Sequence, residues 1–415
     1  MKIAIVGSGI AGLTCAYLLN RQHDIQVFEA SDWIGGHTHT VDVQVEGRSY
    51  AIDTGFIVFN DWTYPNFIRL LEQIGVGFKP TEMSFSVSDP ATGVEYNGHD
   101  LNTLFAQRSN LLSPAFWGML RDILRFNRQS LDDLANNRIS ADTTLGQYLD
   151  SNGYGRRFIE HYIVPMGSAI WSMSLADMLG FPLQFFVRFC KNHGLLSVSD
   201  RPTWQVIEGG SRSYVAPLTA SFAERIRLNC PVSRVVRDQD GVTLHSAAGS
   251  ERFDKVIFAC HSDQALALLE QPSEQERDIL GALPYANNDV VLHTDTRLLP
   301  KRKLAWASWN YRLGGPREQM AAVTYDMNIL QGIDSDTTFC VSLNQTAAID
   351  PSKILARFQY AHPQYSLAGT AAQARWEELL GAQHTYYCGA YWANGFHEDG
   401  VVSALRVARA FGETL

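Results

Sequence analysis

The opening residues Lys2-Ile3-Ala4-Ile5-Val6 run straight into Gly7-Ser8-Gly9-Ile10-Ala11-Gly12, and a stretch rich in alanine and leucine follows. A short apolar strand, a G-x-G-x-x-G turn and a helix leave this part of the chain few options. Gly7 permits the tight turn, Gly9 lets backbone N–H groups approach a pyrophosphate, and Gly12 lets helix and strand pack closely. The phosphate would sit at the positive end of the helix. Glu29 stands where the second strand, Ile25-Gln26-Val27-Phe28, should end, and it is suited to accept hydrogen bonds from a ribose diol. Strand, helix and acidic residue in register predict a dinucleotide site. They do not choose between FAD and NAD.

The chain has 415 residues, enough for two or three domains and a large core. Apolar residues make up 46% and charged ones 19%, which excludes a disordered chain. A net charge of -9 argues against nucleic acid as a partner, and mildly against electrostatic attachment to anionic lipid. No apolar run reaches the roughly 20 residues that span a bilayer, and the strand at residue 2 leaves no room for a signal peptide. Cys15, Cys190, Cys230, Cys260, Cys340 and Cys388 are scattered without a C-x-x-C pair. The expectation is a reduced, cytoplasmic protein with no structural metal.

Residues 41–45 and 49–52 alternate as strands and lead to Asp53-Thr54-Gly55; residues 64–74 have helical spacing, with Gly75 placed to end the helix. Ser113-Pro114 is a helix start, serine as N-cap and proline at the first helical position. Residues 143–191 read as mostly helical and unusually aromatic. Val206-Ile207-Glu208-Gly209-Gly210 reads as a strand entering a glycine turn and a helix over 213–223. A three-stranded meander is expected over 232–237, 242–245 and 253–259, and a second, antiparallel sheet from 290–292, 322–325 and 339–343. A short helix is expected over 352–360. The chain ends with a strand meeting Gly389 and a helix over 401–411.

Taken together, these segments are similar to the FAD-dependent flavin amine oxidase superfamily, which includes amine oxidases, protoporphyrinogen oxidases and phytoene desaturases. The resemblance rests on Gly7-x-Gly9-x-x-Gly12 with Glu29, Gly35-Gly36, Asp53-Thr54-Gly55, Glu208-Gly209-Gly210, Asp254 through Ala259, and Tyr387-Cys388-Gly389 through Gly400-Val401. These appear in the family's order and spacing along the whole chain. The ending Gly389-Ala390-Tyr391-Trp392-x-x-Gly395-Phe396-His397-Glu398-Asp399-Gly400 resembles a bacterial group of amine-oxidase-like flavoproteins. The resemblance implies an α/β fold: a Rossmann-like, GR2-type FAD-binding domain from residues 1–77, 205–275 and 381–415. Residues 78–204 and 276–380 would form an inserted α+β substrate domain, with an antiparallel sheet and a helical part about 110–200.

It also implies roles. Gly7, Ser8, Gly9, Ile10, Ala11 and Gly12 would hold the FAD pyrophosphate, Glu29 and Ala30 the adenosine ribose, and Val232 the adenine. Gly35, Gly36, His37 and Thr38 would lie against the ribityl and flavin region, together with Thr54, Gly55, Ala259 and Gly389; the family more often has arginine at the His37 position. Gly400 and Val401, taken as a helix start, would place N–H groups at the flavin N1–C2=O edge, where a reduced anionic flavin carries its charge. The family usually has an acidic residue where this chain has Ala390.

A substrate carbon must be held against flavin N5 in a dry site. Expected walls are Trp171, Tyr391, Trp392 and Phe396, and His397 is the expected catalytic group, as a base or as part of the wall. No metal site is expected. Amine oxidases often use a lysine near N5 on a strand resembling Asn287–His293, and this segment has none. The leading reading is a dehydrogenase, desaturase or oxidase passing hydride from a lipophilic substrate, a fatty acyl chain or isoprenoid, to FAD, with oxygen or a quinone-like acceptor. The alternatives are a flavin amine oxidase for a small amine and a non-catalytic flavin-binding accessory subunit. The helix from Ser113 could dock peripherally on the inner membrane through Phe116, Trp117, Leu120, Ile123 and Leu124, or pack on its own domain.

Overall fold

The computed structural model describes residues 1–314 and 320–415. Its first layer is a five-stranded parallel sheet of β1 (Lys2–Val6), β2 (Asp24–Phe28), β3 (Ile226–Arg227), β4 (Lys255–Phe258) and β5 (Thr385–Tyr387), in the spatial order β3-β2-β1-β4-β5. Both faces of the central strands are covered, so Ile3, Ile5, Val27, Val256 and Ile257 are buried without alternation. Three distant stretches of chain supply this sheet. The carboxyl ends of β1, β2, β4 and β5 share one edge, which carries the G-x-G-x-x-G turn, Glu29, Ala259 and Gly389.

Helix α1 (Ile10–Leu19) is buried along nearly all its length. It packs on the sheet and on α4 (His397–Ala410), whose Val401, Ala404, Leu405 and Ala408 join Leu13, Ala16 and Leu19 in one core cluster. Helix α2 (Pro65–Gln73) adds Phe67, Leu70 and Leu71 to the same cluster.

The meander consists of Val232–Asp238, Gly241–Ser246 and Gly249–Phe253. The stretch 253–259, expected as its third strand, divides at Asp254. The Asp254 N–H donates to the Lys2 carbonyl and its carboxylate accepts from the Lys2 N–H, so the following residues enter the parallel sheet as β4.

A seven-stranded, mainly antiparallel sheet runs in the order 354–363, 285–293, 340–343, 323–326, 309–312, 85–89, 94–97. Residues 352–360, expected as a helix, belong to its strand Ile354–Pro363, paired antiparallel with Tyr285–His293. Ile354, Ala356, Phe358 and Tyr360 alternate with Leu355, Arg357 and Gln359, which is the strand period of two. A small sheet joins Val58–Asn60, Trp204–Ile207 and Phe78–Pro80, so the expected domain boundary at 77/78 runs through it.

The helical part packs on the large sheet, and its aromatic richness is core: Phe126, Phe158, Phe181 and Phe186 are fully buried. On α3 (Pro114–Ala135), capped by Ser113 Oγ accepting from the Phe116 N–H, Phe116, Met119 and Phe126 point inward, with Leu120 and Ile123 packed against the same core. Phe116, Leu120 and Ile123 are therefore not on the outer face. Trp117 and Leu124 are.

One buried ion pair clamps the meander to the helix Glu274–Gly281 and, through Tyr387, to β5. Arg237 and Glu276 are 5% and 3% exposed; Glu276 also accepts from the Tyr387 hydroxyl at 2.6 Å and the Ser273 N–H at 2.7 Å. Glu276→Ala leaves the guanidinium buried without its partner, and should cost about 3–5 kcal/mol. The expected readout is a clear fall in the thermal midpoint of the purified protein.

Candidate cofactor and active site

The turn after β1 is shaped by contacts no side chain could make. A Cβ on Gly12 would lie 2.1 Å from the Gly7 carbonyl oxygen, and one on Gly7, whose φ is +108°, would lie 2.8 Å from the Ala259 oxygen. A Cβ on Gly9 would meet nothing within 4 Å. No side chain caps α1, so its first N–H groups, from Ile10 onward, have no partner within the helix. Gly36, with φ +59°, approaches the Gly9 Cα so closely that its Cβ would lie 3.1 Å away.

Ser8 was expected to face a pyrophosphate. Its N–H and hydroxyl instead donate to Glu29 Oε2 at 2.9 and 2.6 Å, and the Ser31 N–H donates to Oε1 at 2.8 Å. A carboxylate has about four acceptor positions, so Glu29 retains one on Oε1. The Cys230 N–H donates to the Glu29 carbonyl and the Asn229 N–H to that of Ser31. Val232, two residues beyond Cys230, is half-buried, and Ala30 is exposed.

The next loop is zipped to residues 54–56: the Thr54 N–H donates to the His39 carbonyl at 2.9 Å and the Phe56 N–H to that of His37 at 2.7 Å. A Cβ on Gly55 would lie 2.2 Å from the His37 oxygen. Asp53 lies beneath, fully buried, accepting from Thr40 Oγ1 at 2.5 Å, the Ser211 N–H at 2.9 Å, Ser211 Oγ at 2.8 Å and Gln331 Nε2 at 3.1 Å. Burial raises its pKa to about 6 against those hydrogen bonds. The Asp53-Thr54-Gly55 and Glu208-Gly209-Gly210 motifs are thus two halves of one joint. Asp53 had no assigned role in the sequence, where nothing shows that the two motifs meet.

Histidines crowd the region beyond. The His37 ring lies 6.0 Å from His261, 5.6 Å from His362 and 5.2 Å from Tyr360. Its Nε2 is buried without a partner. Burial lowers the pKa of His37 and His261 to about 4 and that of His362 to about 3, with neighbouring imidazoles adding to the effect. Among the described residues no group of three or more His, Cys, Asp or Glu side chains could hold a metal ion. His261 follows Ala259-Cys260 at the end of β4, a position the strand-end rule could have flagged. Tyr360 was missed because 352–360 is expected as a helix, and His362 because the residues after that helix are given no element.

His397 is buried. Its Nε2 lies 3.0 Å from Thr38 Oγ1 and 3.2 Å from the Tyr214 hydroxyl, and its ring stacks on Phe56 at 3.4 Å. Burial lowers its pKa well below the ordinary value. It is the first residue of α4, so the helix starts four residues earlier than expected. The Gly400 N–H donates to the Phe396 carbonyl at 3.1 Å. Gly400 and Val401 therefore lie inside the helix with their N–H groups used, and the free donors are those of His397, Glu398 and Asp399. Glycine stands at 400 for another reason: a Cβ there would lie 2.7 Å from Ile10 Cγ2. Glu398 caps α2, accepting from the Asn66 and Phe67 N–H groups at 3.1 and 2.8 Å and from Asn66 Nδ2 at 2.6 Å. Asp399 holds its own loop, accepting from the Asn394 and Phe396 N–H groups and from Asn394 Nδ2.

Of the expected walls, Trp171 and Phe396 come together through Phe189, at ring distances of 4.8 and 5.2 Å, and Trp171 Nε1 donates to the Asn394 carbonyl. Tyr391 and Trp392 go elsewhere. They are buried in the cluster with Phe258 and Tyr387, with the Tyr391 ring lying over Gly389. A cleft of about 380 Å³ lies outside α4, lined by Trp62, Tyr64, His193, Phe396, Glu398 and Asp399 among others.

The model of the flavin containing amine oxidoreductase family matches residues 10–327. The chain belongs to this family. It is an FAD-dependent oxidoreductase of the flavin amine oxidase superfamily, with the α/β fold expected from the sequence. Solved structures support the fold: a CLA-producing fatty acid isomerase from P. acnes (TM-score 0.70, 16% identity) and cyclohexylamine oxidase from Brevibacterium oxydans IH-35A (TM-score 0.67, 16% identity) each align over 99% of this chain and 98% of their own. A putrescine oxidase bound to putrescine (TM-score 0.67, 15% identity) aligns over 99% of both chains. No curated protein matches. The site fits FAD in this family: open space before Gly9, an uncapped helix start, a spare acceptor on Glu29 and an unpartnered His37 nitrogen follow one edge of the sheet.

Two outcomes check this arrangement. Gly9→Ala should fold with an unchanged circular dichroism spectrum and purify without flavin absorbance, whereas Gly12→Ala should lose solubility or thermal stability. Separately, the folded pKa values of His37, His261 and His362 lie below the unfolded value of about 6.5, so as pH falls from there towards 4 the unfolded chain takes up protons first. Protonation of Asp53 and Asp399, both raised to about 6, offsets part of this loss. The apoprotein midpoint should drop between pH 6.5 and 4, and the double variant His261→Asn/His362→Asn should flatten the drop.

Proposed function

We propose that this flavoprotein oxidises a lipophilic substrate, a fatty acyl chain or isoprenoid, as a dehydrogenase or desaturase. Gly7, Gly9, Ile10, Ala11 and Gly12 hold the pyrophosphate, Glu29 and Ala30 the ribose, and Val232 the adenine. Gly35, Gly36, His37, Thr38, Thr54, Gly55, Ala259 and Gly389 enclose the ribityl and flavin region. The N–H groups of residues 397–399 take the place first expected of Gly400 and Val401. FAD, when bound, supplies the hydride acceptor at N5 and passes electrons to oxygen or a quinone-like acceptor.

The wall opposite the loop 35–39 carries the reading. Phe358, Tyr360 and His362 face that loop from one strand, with Phe358 4.9 Å from the His39 ring; across the ladder their partners are Val290, Asn288 and Ala286. This wall holds no lysine and no carboxylate, and its histidine is kept neutral by burial. The acids in the first turn of α4, Glu398 and Asp399, each accept three hydrogen bonds from α2 or the loop 394–396, so most of their acceptor capacity is already used. His397, engaged with Thr38 and Tyr214, shapes the site and stays neutral. The same reading includes a peripheral contact with a membrane, from which such a substrate would be drawn.

A small amine is the second reading. It is favoured by the family itself and by neighbours of the same fold named as cyclohexylamine and putrescine oxidases. The neighbour named as a fatty acid isomerase shows that the same fold serves a fatty acid. The decisive measurement is anaerobic mixing of the yellow protein with acyl lipids, isoprenoids and amines. Bleaching of the flavin by a lipid is expected; bleaching by an amine and by no lipid overturns the proposal. Flavin that nothing reduces, in a protein that co-purifies with another, would indicate the accessory subunit.

A further inference from the structure

Ten large apolar side chains are exposed among the described residues, and five of them fall in one short segment: Leu101 (77%), Leu111 (46%), Leu112 (87%), Trp117 (50%) and Leu124 (58%). The segment is rigidly built. Arg108 donates to the Asn102 carbonyl and side chain, tying the turn 108–112 to the short helix Leu101–Leu104. Trp117 Nε1 donates to the Leu111 carbonyl at 2.9 Å, and the Trp117 ring lies 5.5 Å from Phe105. Nothing in the described fold covers these side chains.

Along α3 the outward positions Trp117, Arg121, Leu124 and Arg128 follow at steps of four, three and four, which is one helical stripe. Among the described residues neither Arg121 nor Arg128 is ion-paired. Arg125 differs: it pairs with Asp122 and lies over the Tyr154 ring. The acids at the far end of the helix, Asp132 and Asp133, are taken by Arg138. Asp100, at the tip, caps the short helix, and Glu82 pairs with His99 beside it. On a chain of net charge -9, the exposed face of α3 is locally basic and apolar at once.

We propose that this face is the protein's docking surface for an anionic lipid bilayer, with Leu101, Leu111, Leu112 and Trp117 seated among the acyl chains and Arg121 and Arg128 on the headgroup phosphates. Apolar tip and guanidinium flank together match the two layers such a surface presents. No described helix is long and apolar enough to cross a membrane, so the contact is peripheral. The proposal rests on the lipophilic-substrate reading for its purpose, whereas the surface evidence is independent of it.

The test is flotation of the FAD-loaded protein with vesicles of phosphatidylcholine alone or mixed with phosphatidylglycerol. Binding is expected to the mixed vesicles, weakening as salt rises. Arg121→Glu/Arg128→Glu and, separately, Leu112→Asp should each reduce it at least about tenfold, with flavin content and circular dichroism unchanged. Absence of binding to the mixed vesicles, or binding that neither variant alters, overturns the proposal. So does concentration-dependent dimerisation without lipid that Leu112→Asp abolishes, since a second copy would then be the occupant. Flotation needs no turnover: protein that floats but is bleached by no lipid keeps the docking surface and loses the substrate reading. Protein bleached by lipid in detergent that fails to float loses only the docking.

Discussion

The start of α1 is held by close contacts at glycines. Gly12 sits on the Gly7 carbonyl, Gly36 on the Gly9 Cα, and Gly400 on the Ile10 side chain, each at a distance where a Cβ would force atoms apart. Strand, helix, second loop and C-terminal helix therefore converge on a few residues. A row of N–H groups at a helix start binds an anion well only if it does not have to be organised at the moment of binding. Here the row is fixed by packing. Gly9 differs from the other three, because the space before it is open, and that separates the glycine the ligand needs from the glycines the fold needs.

Around this point the structure buries polar groups in closed sets. Asp53 takes donors from Thr40, Ser211 and Gln331, which lie far apart in sequence, and so locks the loop 37–40, the turn 208–211 and the end of the short helix Met327–Leu330 together. Thr54 and His39 meet Tyr360, which fixes the large sheet over the same loop. Losing one partner from such a set leaves a buried group unsatisfied, at about 1–3 kcal/mol. The relation between the two layers is thus set by a few hydrogen bonds of high consequence, in addition to apolar area.

How legible this was depended on where the decisive contact lay along the chain. The β1 turn was readable because strand, glycines and Glu29 are consecutive and each has a local physical reason. The division of 253–259 at Asp254 depends on Lys2, some 250 positions away, and no local pattern announces it. The strand Ile354–Pro363 carries its own alternation, and its pairing with 285–293, which a helix over 352–360 leaves out, decides the matter. The α4 start was misplaced because Gly400 was read as a helix boundary; it is an interior glycine demanded by Ile10. Tyr391 and Trp392 were placed on a wall from their neighbours in sequence, whereas a turn at Gly389 sends them into the core.

The acidic pair Glu398-Asp399 bears on what the site can accept. Both residues stand in the first turn of α4, where carboxylates are ordinarily welcome. Both are turned instead to other backbone donors, on α2 and on the loop 394–396. With the histidines neutral and no lysine on the facing strand, the fixed charge acting on the loop 35–39 is the Asp32 carboxylate, which raises the His39 pKa against burial. An alkylamine with a pKa near that of lysine would have to lose its proton to enter, which at pH 7 costs about 5 kcal/mol, or enter charged and unpaired at greater cost. An acyl chain or isoprenoid meets neither penalty and gains from leaving water. The difference favours the lipophilic substrate even though the fold is shared with oxidases of amines.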